Sequence, residues 1–326
     1  MAAVNLDLSV VIPIHNEAEN IETLVAEFCT VLNAWGRSYE LLLIDDGSTD
    51  GSFRILQDLQ STLPQLRVIQ FRRNFGQTAA FAAGFAHARG RLVVTADGDL
   101  QNDPRDIPAM VARLEGSDGT GTYDLVCGWR EKRQDPFLHR RLPSILANRL
   151  ISWATGVRLK DYGCSLKVFR SEVVKELRLY GEMHRFLPAL ASEMGVRIAE
   201  QAVNHRARVH GRSKYGISRT LRVVLDLMTV KFLLSYSTRP LQMFGPLGML
   251  AGGAGVLVLG YLSYAKFALH QGIGERPLLL FGILLVVTGV QLLSFGLLAE
   301  LQSRTYHESQ GKPIYVIRQI LGPLDS

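Results

Sequence analysis

Four times within the first hundred residues, a short apolar run stops at a cluster of Asp, Asn, Glu, Gln or Gly. Residues 8–13 lead into His15, Asn16 and Glu17, and residues 40–44 into Asp45, Asp46, Gly47, Ser48, Thr49 and Asp50. Residues 67–71 lead into Asn74, Gly76 and Gln77, and residues 92–96 into Asp97, Gly98, Asp99, Leu100 and Gln101. Apolar runs of this length, bounded by turn residues, read as buried strands. Between them, residues 18–34 place Ile21, Leu24, Val25, Phe28, Val31 and Leu32 at helical spacing. A second helix is expected from about residue 51, a third, of small residues, over 79–88, and a fifth strand over 123–127. Strands alternating with helices predict an α/β domain with a doubly wound, mostly parallel sheet, whose ligands bind outside the carboxyl ends of the strands. All four polar clusters are then brought to one edge.

The fourth cluster carries the most chemistry. In extended backbone, residues i and i+2 point the same way, so Asp97 and Asp99 are expected to face one point, with Gly98 free to bend between them. With Gln101 they form part of an oxygen shell for Mg²⁺ or Mn²⁺ that leaves positions open for phosphate oxygens. Asp, Gly, Asn102 and Pro104 are equally turn residues, and on these residues alone metal site and turn stand even. Other nucleotide chemistries lack their signatures. No G-x-G-x-x-G follows the first strand, there is no G-x-x-x-x-G-K-[ST], and there is no G-x-S-x-G nucleophile elbow.

Two basic clusters follow. Arg130, Lys132, Arg133, Arg140, Arg141 and Arg149 crowd residues 128–150, and Arg208, Arg212, Ser213 and Lys214 lie on an expected loop. Each fits a solvated face or a grip on phosphate, which Arg binds in bidentate fashion. The net charge of +6 suits a phosphorylated substrate or anionic lipid. No basic tail or RNA-reading module points to nucleic acid. Cys29, Cys127 and Cys164 have no C-x-x-C spacing, so neither a disulfide framework nor a zinc site is expected. Residues 1–7 do not read as a signal peptide.

The last third of the chain changes character. Over residues 218–235, Leu221, Val224, Leu225, Met228 and Phe232 share one helical face, opposite Arg219, Arg222, Asp226 and Thr229. That pattern fits an amphipathic helix at a membrane interface. Residues 243–265 and 277–299 contain no charge, and each exceeds the roughly 20 residues that cross a bilayer. Cations concentrate before the first span (Arg219, Arg222, Lys231, Arg239) and after the second (Arg304, Lys312, Arg318). The positive-inside bias puts both termini in the cytosol. The expected organisation is a catalytic domain over 1–215, interfacial helices over 216–240, two transmembrane helices within 241–300 and a cytosolic tail over 301–326.

Taken in order, these motifs resemble family 2 glycosyltransferases with a GT-A fold. More closely, they resemble the membrane-anchored polyprenyl-phosphate hexosyltransferases, such as dolichol-phosphate mannose synthase and the bacterial undecaprenyl-phosphate glucosyltransferases. The residues that carry the resemblance are Pro13, Asn16 and Glu17; Asp45, Asp46, Gly47, Ser48 and Asp50; Asn74, Gly76 and Gln77; and Asp97, Asp99, Leu100 and Gln101. Gly128 with Arg130, Arg140 and Arg141 with Ser144, and Arg208 with Gly211, Ser213 and Lys214 complete the set, which spans nearly the whole chain.

The resemblance implies an inverting transfer of a hexose, with UDP-glucose favoured and GDP-mannose the alternative, to polyprenyl phosphate at the cytosolic face of a bacterial inner membrane. It implies that Pro13, Glu17, Ile44 and Asp46 line the nucleoside pocket, with Asp97 and Gly98 beside the donor sugar. Asp99 and Gln101 would hold the divalent cation, Arg208 and Lys214 the donor diphosphate, and Arg130, Arg140 and Ser144 the acceptor phosphate. Asp97, Asp99 and Arg130 would be the catalytic residues. A phosphate monoester has a second pKa of about 6, so the attacking oxygen needs no general base. Relatives of this two-span type can form tetramers, so the resemblance allows a homotetramer. A processive polysaccharide synthase is a rival, but it would carry a Gln-x-x-Arg-Trp motif, and none of Trp35, Trp129 and Trp153 follows an Arg. A transferase with a soluble acceptor and a non-catalytic sugar-nucleotide binding protein are the remaining alternatives.

Overall fold

The computed structural model describes residues 6–116, 121, 123–131, 151–152, 155–179, 181, 183–206 and 313–323, together with nine separate positions between 280 and 305. The chain divides into two compact units, Met1–Asp226 with Pro313–Ser326, and Leu227–Lys312. The expected interfacial helices over 216–240 and the first span, 243–265, lie outside the described residues. Of the second span, Leu280, Val287, Val290, Gln291, Ser294 and Leu298 are described, all helical. Among the described residues, no helix is long and apolar enough to cross a membrane.

The first unit is built on one eight-stranded sheet: β1 (Leu8–Ile14), β2 (Tyr39–Asp45), β3 (Leu66–Phe71), β4 (Leu92–Thr95), β5 (Leu125–Arg130), β6 (Lys167–Arg170), β7 (Ile198–Val203) and β8 (Ile317–Leu321). Their spatial order is β7-β5-β6-β4-β1-β2-β3-β8. The pairs β1–β2, β1–β4, β2–β3 and β5–β7 are parallel, whereas β3–β8, β4–β6 and β5–β6 are antiparallel. The sheet is therefore mixed rather than mostly parallel. Its parallel core matches the alternation of strand and helix up to residue 96. Beyond that point β6 enters between β4 and β5 against their direction, and short strands give no sequence signal of direction.

The C-terminal tail also departs from expectation. Residues 317–321 are a strand of the catalytic sheet, laid antiparallel along β3. Arg318 and Gln319 interrupt the apolar pattern there, as is common in an edge strand that must resist further pairing. The tail covers the edge that β3 would otherwise leave open.

β1 and β2 are buried along almost their whole length, as expected for strands covered on both faces. Helix α1 (Ile21–Trp35) buries Ile21, Leu24, Val25, Phe28 and Leu32, and ends at Gly36 with φ 77°, the left-handed C-cap that glycine adopts without steric penalty. Helix α2 (Ser52–Thr62) precedes β3, and helix α3 (Gln77–His87) follows it. The small residues of α3 permit a close approach to β1: a Cβ built on Gly84 would lie 2.1 Å from Val11 Cγ1. Helix α4 (Ile107–Glu115) leads towards β5, and the short helices α5 (Ser171–Glu176) and α6 (Leu187–Ser192) follow β6. Strand order reverses between β1 and β4, and a doubly wound sheet binds its ligands in the crevice at that reversal. Pro13 to Glu17 leave β1 at this point, and Asp97 to Gln101 leave β4.

Candidate active site

Three of the four polar loops are tied to one another before any ligand is considered. Asn16 is held in the left-handed region at φ 57°. Its backbone N–H donates to Ser48 Oγ at 3.0 Å, and its Oδ1 accepts from Thr49 N at 2.8 Å. Glu17 N donates to Ser52 Oγ, and Ala18 N to Asp50 Oδ2. The Glu17 carboxylate accepts from Asn20 Nδ2 at 2.6 Å. His15 Nδ1 donates to the Asp46 carbonyl oxygen at 2.9 Å. Gly47, at φ 65°, approaches the next loop so closely that a Cβ there would lie 2.4 Å from the Arg73 carbonyl carbon.

Asp46 is the joint between the second and third loops. Its Oδ1 accepts from Phe75 N at 2.6 Å and its Oδ2 from Gly76 N at 2.9 Å. Burial raises its pKa, and the two amide donors partly offset this. Its neighbour Asp45 is fully buried and accepts from Ser48 N through Oδ1, while Oδ2 has no hydrogen-bond partner. Of the residues expected to line a nucleoside pocket, Pro13, Glu17 and Asp46 stand at this edge. Ile44 stands beside Pro13 in the β1–β2 register, with its side chain completely enclosed.

The Asp97–Gln101 segment is not extended. β4 ends at Thr95, and the chain then bends, with Leu100 buried in the left-handed region at φ 61°. A bulky residue in that region marks local strain. The two carboxylates are thus brought together by a bend, not by strand alternation. Asn102 holds the bend: its Oδ1 accepts from Asp97 N at 2.8 Å and from Ser165 Oγ at 2.9 Å. Asp99 Oδ1 accepts from Gln101 N at 3.2 Å, and Gln77 Nε2 donates to Asp97 Oδ1 at 2.8 Å. Burial raises the pKa of Asp97, and the charge of Asp99 raises it further, against a hydrogen bond from Ser165 and the charges of Lys167 and Arg130. Two carboxylates close enough to repel, with an amide side chain beside them, match the donor set that hard divalent cations share with substrate phosphates. Asp97, Asp99 and Gln101 would hold such an ion. The described residues contain no cluster of three or more His, Cys, Asp or Glu able to hold a metal without such help.

On the far side of the motif, residues 204–206 are clamped to it. Asn102 and His205 form a β-bridge, and Arg206 N donates to the Gln101 carbonyl oxygen at 3.2 Å. The Arg206 guanidinium pairs with Glu27 at 2.6 Å and Asp103 at 3.0 Å. Asn204 bonds to Asp106 through both its backbone and side-chain nitrogens. This clamp is the stem of the segment carrying Arg208 and Lys214, which themselves lie outside the described residues, as do Arg140 and Ser144.

Arg130 ends β5 and is held by a bidentate pair: Nε donates to Asp161 Oδ2 at 2.7 Å and Nη2 to Asp161 Oδ1 at 3.0 Å. Sequence reasoning assigned no role to Gln77, Asn102, Asp161, Ser165 or Lys167. Gln77 stands in the Asn74–Gln77 cluster that carries the resemblance. Nothing in the linear order signalled that they converge on Asp97 and Arg130.

The fold is of the GT-A-like α/β type with a mixed central sheet. A model of glycosyl transferase family 2 matches residues 9–178, and the chain belongs to that family; it is a glycosyltransferase. Among curated relatives, the dodecaprenyl-phosphate galacturonate synthase of Rhizobium johnstonii is 47% identical over 322 residues, covering 97% of this chain and 93% of that protein. The solved mannosyltransferase of Pyrobaculum calidifontis, in complex with GDP-Man and Mn²⁺, is 18% identical. It superposes with a TM-score of 0.50 over 94% of this chain and 88% of its own. Glucosyl-3-phosphoglycerate synthase from Mycobacterium tuberculosis, in complex with Mn²⁺ and UDP-glucose, is 19% identical. It superposes with a TM-score of 0.53 over 70% of this chain and 79% of its own. At such identities the two solved structures share the fold.

Proposed function

We propose that this protein transfers a hexuronosyl group, galacturonosyl, from its UDP donor to the phosphate of a polyprenyl phosphate such as dodecaprenyl phosphate. The observation that carries the reading is the 47% identity to the galacturonate synthase along 97% of the chain. The proposal puts a sugar that adds one negative charge in place of the neutral glucose that the family resemblance favours.

In this reading, Pro13, Glu17 and Asp46 frame the nucleoside, and Asp97 with Gly98 borders the sugar. Arg208 and Lys214 take the donor diphosphate, and Arg130, Arg140 and Ser144 take the acceptor phosphate. A divalent cation held by Asp97, Asp99 and Gln101 would offset the charge that develops on the leaving diphosphate. The work left to the chain is to bring two anions together and hold them in line. The acceptor phosphate is ionised at neutral pH, so it attacks without a general base, and single displacement inverts the anomeric centre. The apolar segments 243–265 and 277–299 would anchor the enzyme in the bacterial inner membrane with both termini cytosolic, where the lipid acceptor resides.

Offering UDP-galacturonic acid, UDP-glucose and GDP-mannose together, with polyprenyl phosphate and Mn²⁺, tests the donor. The extracted lipid product is identified by mass spectrometry. Galacturonosyl lipid is expected to dominate. A hexosyl lipid as the main product would return the assignment to a neutral donor.

Asp161 gives a second test. Asp161→Ala removes the counter-ion that holds Arg130 in a bidentate geometry. The KM for polyprenyl phosphate is expected to rise about tenfold or more, in line with loss of a charged hydrogen bond. Arg130→Lys is expected to resemble it, because an ammonium cannot make the paired contact. An unchanged acceptor KM in both variants would remove Arg130 from the acceptor site.

A further inference from the structure

The C-terminal strand contributes more to this site than closure of a sheet edge. Just before β8, the Tyr315 ring stacks on Phe71 with centroids 5.1 Å apart and planes 12° apart. Phe71, at the end of β3, meets Phe75 edge to face, with centroids 5.7 Å apart and planes at 89°. These are the two arrangements that aromatic quadrupoles favour. The ladder ends where the donor loop begins, since Phe75 N is one of the two amides that Asp46 binds. The Arg73 guanidinium lies over the Phe75 ring, 4.2 Å from its centroid. Backbone contact runs in parallel with the rings. Arg72 N donates to the Val316 carbonyl oxygen at 3.0 Å, and the β3–β8 register shifts between Gln70 and Phe71, where the strand gives way to the loop.

Residues 72–77 are thus held from two directions, by Asp46 on one side and by the C-terminal segment behind Phe71 on the other. Tyr315 is only 9% exposed and stacked on Phe71, so its ring is part of this wall. It also stands three residues beyond Lys312, the last residue of the second compact unit. We infer that Tyr315 is a positioning residue for the nucleotide pocket: through Phe71 and Phe75 it fixes the amides that orient Asp46, so that donor affinity depends on the segment following the apolar third of the chain. The inference rests on the reading of the Asp46 loop as the nucleoside pocket, and its test separates the two.

The test uses the full-length protein in detergent. Binding of UDP with Mn²⁺ is measured by calorimetry for the wild type, Tyr315→Ala, Tyr315→Phe, Gln319→Ala and Asp46→Asn, with a melting curve for each. Gln319 is a β8 residue whose side chain donates to Gln70 Oε1 at 3.2 Å, away from the ring ladder. Tyr315→Ala is expected to weaken UDP binding about three- to tenfold, the worth of an aromatic pair, and to raise the donor KM with little change in kcat. Tyr315→Phe, which keeps the ring, is expected to bind as the wild type does, and so is Gln319→Ala. If Tyr315→Ala does not melt cooperatively, Tyr315→Leu, which keeps volume without the stacked ring, is read in its place. Wild-type affinity in the ring-deleted variant, alongside weakened binding in Asp46→Asn, would overturn the inference and leave the pocket standing. Wild-type affinity in Asp46→Asn would overturn the pocket reading and the inference with it. Equal weakening in Tyr315→Ala and Gln319→Ala would reduce Tyr315 to general support of the edge strand.

Discussion

Asp99→Asn is expected to lower the rate of sugar transfer by about 10²–10³-fold, comparable to losing one preorganised electrostatic contact in other enzymes, while leaving the melting temperature nearly unchanged. Asn keeps the shape of the side chain and an oxygen to accept from Gln101 N, the bond at 3.2 Å that Asp99 makes in this fold. What it removes is one of the two charges at the bend. Burial and then Asp99 raise the pKa of Asp97, so the substitution also lets Asp97 ionise more readily and relieves local repulsion. A purely structural role for the pair therefore predicts a neutral or slightly stabilising change with activity retained. A role in holding a divalent cation beside the leaving diphosphate predicts the opposite pattern: intact folding and lost turnover. Initial rates and thermal melts on the same preparation decide between them. Activity within a few-fold of wild type would dissociate Asp99 from the chemistry.

Arg67→Met should unfold the catalytic unit at a markedly lower temperature. Arg67 on β3 and Glu40 on β2 are an ion pair at 2.8 Å, exposed by only 2% and 3%. Glu40 also accepts from Arg89 N at 2.8 Å and from Ser9 Oγ, and Arg67 Nη1 donates to the His87 carbonyl oxygen at 3.0 Å. The network therefore ties β1, β2 and β3 to the turn after α3. Removing one partner strands a buried charge, at a cost of about 3–5 kcal/mol. In a unit of this size that is a fall of roughly 10 °C in melting temperature. Replacing both, as Arg67→Met with Glu40→Leu, is expected to recover a large part of the loss, because the desolvation cost of both charges is removed together. A single variant that melts within 2 °C or so of wild type would show that water reaches the pair.

The central strands were legible because each is a short, mostly apolar run ended by turn residues, and β1 to β4 fall within a residue or two of where the sequence puts them. Direction was not legible. Nothing in residues 167–170 says that they run against β4 and β5. β8 was missed because Arg318 and Gln319 break its apolar pattern and because it pairs with β3 from the other end of the chain. The placement of the four polar loops at one edge was legible, since β1 to β4 run parallel as strand alternation requires. The bend at Leu100, its buttress at Asn102 and Ser165, and the Asp161 carboxylate behind Arg130 come from contacts between segments up to 63 residues apart. Linear spacing holds no record of such contacts.

The central claim is that the acceptor is a lipid phosphate attacked directly. Its most direct test is the incorporation of label from UDP-galacturonic acid into the organic phase, with polyprenyl phosphate, unphosphorylated polyprenol or no lipid supplied. Label that appears only with polyprenyl phosphate is the predicted result. Equal label with polyprenol, or label appearing instead in a water-soluble or polymeric product without the lipid phosphate, would contradict the claim.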